Sequence, residues 1–332
     1  MMPSPLNIGR VRRRSTAPSL PPEPAALDVQ VLEAHRLRWI NIDAPTERAA
    51  QWLADNYSFD PLDLEDVRSR RRQRAKIDVY DDYVFVVLHF PRYDKQTGRL
   101  QPAELNLFVS NGLVITIAKE PLKPLQGLWR RCQIDDEADR HMSRGSGHLF
   151  YEITDTLYDY CFPILDKIGF KLDAIEDELF EGTGDESVRD IAQAKQEIIN
   201  YRKIIQPQRP TVRELEQPLQ AFTRHDLEIY FDDIVDKNER IWDLLENYKE
   251  VVESLETTNE AIITHRLNTI LRTLTVLSAI VLPLTLIAGI YGMNTDGLPF
   301  AAAGPGAFLF PIALMAASAI GMLIWFRSKR WL

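Results

Sequence analysis

The sequence predicts an α+β domain, followed by a long helical stalk and two C-terminal transmembrane helices. Three observations carry this reading. Residues 27–145 mix strand-like alternation with short helical runs, and from residue 146 apolar positions recur at three and four spacing. Finally, Thr273 to Phe326 contains a single charged residue, Asp296, in a chain that is 26% charged overall.

The first 26 residues, with six prolines, four arginines and no apolar core segment, predict a disordered basic tail and no signal peptide. Within 27–145, "RLRWINIDAP" and "YVFVVLHF" read as strands, being rich in β-branched and aromatic residues. "ELNLFVSNGLVITIAKE" reads as a hairpin, with a type I′ turn expected at Asn111-Gly112. "PTERAAQWLADNY" and "PLDLEDVRSRRRQRAK" carry helical composition. Residues 146–272 predict a helical hairpin broken at Gly182 and Gly184, then a helix from about Leu227 with neither Pro nor Gly before Pro283. Continued to Tyr291, that helix would be on the order of 95 Å long and would need packing partners along its length.

Residues 273–294 and 307–326 are each long enough to cross about 30 Å of hydrocarbon. With so little chain after them to bury them, membrane spans are the expectation. Arg266 and Arg272 precede the first span; Arg327, Lys329 and Arg330 follow the second, in the basic ending 327–332. The connection, 295–306, has no Lys or Arg, so both termini are expected on the cytoplasmic side and the connection outside.

Composition excludes several classes. The balance of 39 basic and 48 acidic residues, net charge −9, argues against a nucleic-acid partner. Cys132 and Cys161 give no framework of bridges and suit a reducing compartment. There is no His-x-x-x-His pair, Gly-rich phosphate loop or Gly-x-Ser-x-Gly elbow, so neither an enzyme nor a cofactor is expected.

On the first span, Asn268, Leu271, Thr275, Ser278, Leu282, Thr285, Gly289 and Gly292 fall at steps of three and four, on one helix face. Two readings stand for this face of small and polar residues. It either packs membrane helices together or lines a narrow uncharged conduit. Two spans cannot enclose a conduit, so the second reading requires several copies of the chain.

"PLTLIAGIYGMN", the short connection, the second span and the ending "RSKRWL" resemble the CorA family of magnesium and divalent metal-ion transporters. "DPLDLEDV", "AKIDVYDDYVFVVLHF" and "LDKIGFKLDAIEDELFE" extend the resemblance to most of residues 40–332. The resemblance implies a funnel-shaped homopentamer in an inner or plasma membrane, whose partners are other copies of itself, lipid and divalent cations. It also implies channel-like Mg2+ uptake driven by membrane potential, with the first spans lining the pore. Gly292, Met293 and Asn294 would form the ion-selecting outer mouth, Thr285 and Asn268 polar rings, and Leu271 and Leu282 apolar constrictions. Glu65, Asp66, Asp155 and Asp233 match acids that bind regulatory intracellular Mg2+ at subunit interfaces, although most Asp and Glu on helix surfaces are simply solvated.

The connection departs from the family pattern. Where relatives often carry an acid beside a proline, this chain has Leu298-Pro299-Phe300, and Asp296 is the only anion near the mouth. Zn2+, Co2+ or Ni2+ transport, including proton-coupled zinc transport, is therefore the alternative cargo. A membrane-anchored oligomeric metal sensor without flux is the alternative of another class.

Overall fold

The structure is a computed structural model that describes residues 29–293 and 305–331, apart from 44, 70, 95–96, 182–186, 224–225 and 330. The expected tail and the glycines proposed to break the hairpin lie outside the described residues, as do Asn294, Asp296 and Leu298 to Phe300. The chain divides into two compact units, Met1–Leu255 and Glu256–Leu332.

The first unit is built on a six-stranded sheet of β1 (Val29–Ala34), β2 (Leu37–Asp43), β3 (Lys76–Val79), β4 (Tyr83–Asp94), β5 (Arg99–Ser110) and β6 (Leu113–Ala118). Their order is β1-β2-β6-β5-β4-β3. Only β2 and β6 pair in parallel; the other neighbours are antiparallel. Val84 to Leu88 of β4 are wholly buried, as a central strand covered on both faces must be.

On one face, α1 (Glu47–Asn56) and α2 (Pro61–Arg68) close a core of Ile40, Ile42, Leu53, Phe85, Phe108 and Ile117 among others. The opposite face meets α3 (Lys123–Arg131) and α5 (Ser146–Glu181), with α4 (Asp135–Met142) between them in sequence. Trp39 of β2 meets Trp129 of α3 at 4.7 Å, and Phe90 of β4 meets Tyr158 of α5 at 5.4 Å, both edge-on. α6 (Ser187–Ile205) packs on α5, where the Tyr201 hydroxyl donates to the Cys161 carbonyl at 3.0 Å. A 3-10 turn and two short helices, α7 (Arg209–Arg213) and α8 (Glu216–Gln220), lead to α9 (Glu228–Tyr291).

The expected long helix is continuous: α9 has 64 residues, about 96 Å. Up to Leu255 it packs on the first unit. Leu227, just before it, and Phe231, Ile234, Asn238, Ile241, Leu245, Val252 and Leu255 are buried at helical spacing. The Asn238 amide donates to the Tyr158 hydroxyl at 2.9 Å, and Arg202 and Arg209 stack on Trp242.

Two expectations are corrected. The type I′ turn is at His35-Arg36, between β1 and β2, where φ is +51° and +62°. At the β5–β6 connection only Gly112 has positive φ, so that turn is of another type. Gly112 is required for a second reason: a Cβ there would lie 2.9 Å from the Arg36 carbonyl oxygen of the neighbouring turn. The other correction is that α2 stops at Arg68 instead of running through the arginine-rich stretch. Lys119 Nζ donates to the carbonyls of Asp66 and Ser69 at 3.0 and 2.9 Å, and the Ser69 hydroxyl accepts the Arg71 N–H. These bonds occupy the groups that another helical turn would use.

Gly112→Ala should lower stability by at least about 1–2 kcal/mol, because it combines a left-handed backbone with a backbone clash. A lower thermal midpoint of the purified full chain, with unchanged far-UV circular dichroism at low temperature, checks this.

Candidate ion pathway

In the second unit, hydropathy and length mark two helices able to cross a bilayer. The best 18-residue window of α9 has mean hydropathy 2.2, and that of Phe308–Ser328, within α10 (Pro305–Ser328), has 2.1. Few residues here are shielded, and they divide each helix. On α9 from Ile263 onward the less exposed positions are Val276, Ala279, Ile280, Pro283, Leu284, Ile287 and Tyr291. On α10 they are Pro311, Met315, Ser318, Ala319, Met322 and Phe326. Both sets follow a helical period, and Tyr291 meets Phe310 at 6.2 Å between ring centroids. The two helices therefore pack along these seams.

The polar and small stripe is elsewhere. Asn268, Leu271, Thr275, Ser278, Leu282, Thr285, Gly289 and Gly292 are all exposed. At 100° per residue, the centre of the stripe lies roughly 155° from the α9 seam. Packing between the two helices of one chain is thus not what the stripe serves. A Cβ on Gly289 would meet nothing within 4 Å, so nothing in this chain demands glycine there. Gly292 differs. Its N–H donates to the Ala288 carbonyl at 2.8 Å as the helix ends, and a Cβ would lie 2.8 Å from that same oxygen. Met293 is exposed.

The threonines have a defined polarity. Thr275 Oγ1 donates to the Leu271 carbonyl at 2.7 Å, and Thr285 Oγ1 donates to Val281 at 2.9 Å. With their protons turned back to the helix, these hydroxyls present lone pairs outward as acceptors. Waters held by a cation direct their protons away from the metal and are matched by acceptors.

The four candidate regulatory acids fall in two places. Glu65 and Asp66 are on α2, with Glu65 exposed and Asp66 paired to Lys76 at 2.7 Å. Asp155 on α5 and Asp233 on α9 are joined by Lys237, which hydrogen-bonds Asp155 and lies 3.4 Å from Asp233. Asp159 accepts from the same ammonium at 2.7 Å. Among the described residues, no group of three or more His, Cys, Asp or Glu side chains is placed to hold a metal ion. Lys76 and Lys237 are the residues that sequence reasoning missed. Their only sequence signal is the Asp233–Lys237 spacing of four on a helical pattern.

Electrostatics follow the same geometry. Burial raises the carboxyl of Asp155 even though Lys237 pulls it down. Burial also acts to lower the Lys237 ammonium, but its bonds to Asp155 and Asp159 outweigh that and its pKa rises. Asp63, wholly buried beside Tyr83, whose hydroxyl donates to it at 2.8 Å, is pushed from 3.8 up to about 6 by desolvation.

A family model described as CorA-like Mg2+ transporter protein matches residues 34–330 of this chain. The chain belongs to the CorA-like family. Cobalt/magnesium transport protein CorA of Thermotoga maritima is 28% identical over 89% of this chain and 83% of that protein. The complete structure of the CorA magnesium transporter from Methanocaldococcus jannaschii superposes with a TM-score of 0.78 at 22% identity, over 91% of this chain and 93% of that one. Zinc transport protein ZntB of Pectobacterium carotovorum is also similar, 20% identical over 91% of this chain and 90% of its own length. As a CorA-family member the chain is a membrane-integral divalent-cation transporter, and α9 and α10 are the helices that fit the bilayer.

Asp63 gives a pH test. Its folded pKa lies above its unfolded one, so the cost of burying its charge is absent below about 4, grows up to about 6 and is constant above. The stability of the native chain relative to Asp63→Asn should therefore fall across that window and level off beyond it, as read by denaturant midpoints at successive pH values.

Proposed function

We propose that this chain assembles into a homopentamer whose first spans surround a pore for Mg2+, and that membrane potential drives uptake. The observation that carries this is the stripe of α9: exposed, polar and small, and turned away from the seam with α10. Such a face in a membrane needs either other copies or water against it. Five copies around an axis supply both.

Mg2+ dehydrates reluctantly, so an uncharged passage lined by acceptors suits the hydrated ion. The outward lone pairs of Thr275 and Thr285 support that reading, and Asn268 and Asn294 add amide oxygens. Leu271 and Leu282 would constrict the passage and gate it by excluding water. Gly292, Met293 and Asn294 would form the outer mouth, with Asp296 as its nearest acid. The basic residues flanking the two spans support cytoplasmic termini. A divalent ion crossing 100 mV gains roughly 4.6 kcal/mol, enough to drive uptake without nucleotide. Internal Mg2+ at Glu65, Asp66, Asp155 and Asp233 would close the pathway by neutralising carboxylates that otherwise repel.

Zinc is the second reading, favoured by the similarity to ZntB. The absence of His and Cys from the stripe disfavours direct ligation of a softer metal in the pore.

Proteoliposomes with an inside-negative potential should take up Mg2+ faster than Zn2+ or Ni2+, and Asn294→Ala in folded protein should abolish the flux. Absence of flux from the native chain at low internal Mg2+ would overturn uniport, leaving a sensor. Gly289→Leu should cut flux at least tenfold with the helical content of the chain unchanged by circular dichroism, because the side chain enters space empty in one chain and crowded in five.

A further inference from the structure

Lys237 sits among three carboxylates from two helices. Asp155 and Asp159 are four apart on α5, and Asp233 precedes Lys237 by four on α9. An ammonium has three N–H donors, enough for one bond to each acid. Lys237 and Asp155 are largely shielded, each with a side chain 21% exposed, whereas Asp159 and Asp233 open to solvent at 60% and 44%. One cation among three anions leaves the cluster negative, so it still attracts a divalent ion. That ion, however, must approach a positive charge already in place. Because the ammonium is carried on the same helix as Asp233, it cannot be diluted away.

We propose that Lys237 is a resident competitor that sets the internal Mg2+ concentration to which Asp155 and Asp233 respond. This rests on the reading above that these two acids sense Mg2+. Like charges about 4 Å apart repel appreciably even in bulk water, and the divalent charge doubles the effect, so the ammonium weakens Mg2+ binding by about tenfold or more. The transporter therefore stays open to higher internal Mg2+ than its acids alone would allow. The other candidate cluster has the same construction: Lys76 pairs with Asp66 and Asp78 and lies 3.9 Å from Asp63. Lys76 also lies over the Phe85 ring, so its removal would disturb the core, and Lys237 is the cleaner position to test.

The experiment titrates Mg2+ against the full-length protein in nanodiscs at constant ionic strength, reading the midpoint of protection from trypsin. Flux into liposomes is measured in parallel. Lys237→Gln and Lys237→Met should each lower the midpoint at least tenfold with flux retained at low internal Mg2+. Lys237→Arg, which keeps the cation, should hold the native midpoint. Adding Asp155→Asn to Lys237→Gln should raise the midpoint again. If Lys237 only stitches α5 to α9, the neutral variants lose thermal stability and keep the native midpoint within twofold, which overturns the proposal. If native and neutral variants alike carry flux but show no Mg2+ protection, the sensing role of Asp155 and Asp233 fails and the proposal fails with it. If none carries flux yet the midpoints shift as expected, the transport reading fails and the role of Lys237 stands.

Discussion

In hydrocarbon a backbone amide has no partner but another backbone group, and the second unit is arranged around that constraint. It requires residues 273–291 to be helical, and helicity in turn sorts the side chains into faces. Pro283 interrupts the ladder once, since it lacks the N–H that would reach the Ala279 carbonyl. Hydroxyls obey the same rule. Thr269, Thr273, Thr275 and Thr285 all donate to the carbonyl four residues back, so none of these protons is left unpaired. The by-product for Thr275 and Thr285 is a face of acceptors, the polarity that a hydrated cation prefers. A single demand, hydrogen-bond satisfaction without water, thus shapes the helix and much of the chemistry it can present.

In the first unit, water is available and charge is managed differently. The sheet is buried on both faces, and a charge held within it must be paired there. Glu104, fully buried, is held below the usual carboxylate range although burial pushes it up, because His89, Lys119 and the Gln73 amide outweigh desolvation. Lys119 also bonds the carbonyls of Asp66 in the last turn of α2 and of Ser69 just past it, linking this charge pair to the end of the helix that carries Glu65 and Asp66. Lysines recur in such roles here: Lys76 among acids of α2 and β3, Lys237 between α5 and α9. In each case a flexible ammonium reaches several oxygens that are distant in sequence. Three of the four candidate regulatory acids, Asp66, Asp155 and Asp233, are therefore part of the fold's own charge pairing.

The two units use the same helix for unlike purposes. Up to Leu255, α9 presents an apolar seam to the soluble core, interrupted by Asn238 with its bond to Tyr158. From Asn268 the recurring face is mostly small and polar, broken by Leu271 and Leu282, and most of the other apolar residues lie around the rest of the circumference. A continuous helix allows this change without a joint, since only the side chains differ.

Much of this was legible in the sequence. The strands at 37–43 and 83–90, the hairpin around Gly112, the two spans and the shared face from Asn268 to Gly292 follow from local periodicity, which depends only on residues within a turn or two. The family was legible from motif context. β1 was not, because "VQVLEA" is short and lacks strong alternation, and its pairing is secured by a turn of His and Arg that composition does not advertise. The sequence by itself determined that two segments are long and apolar enough to cross a membrane and which residues of the first share a face. Only the tertiary structure decided that this face turns away from α10, and that Lys237 stands between Asp155 and Asp233. The physical reason is range: a face is set by the 3.6-residue repeat, whereas the direction it looks and the charges it meets depend on contacts such as Lys237–Asp155, 82 residues apart.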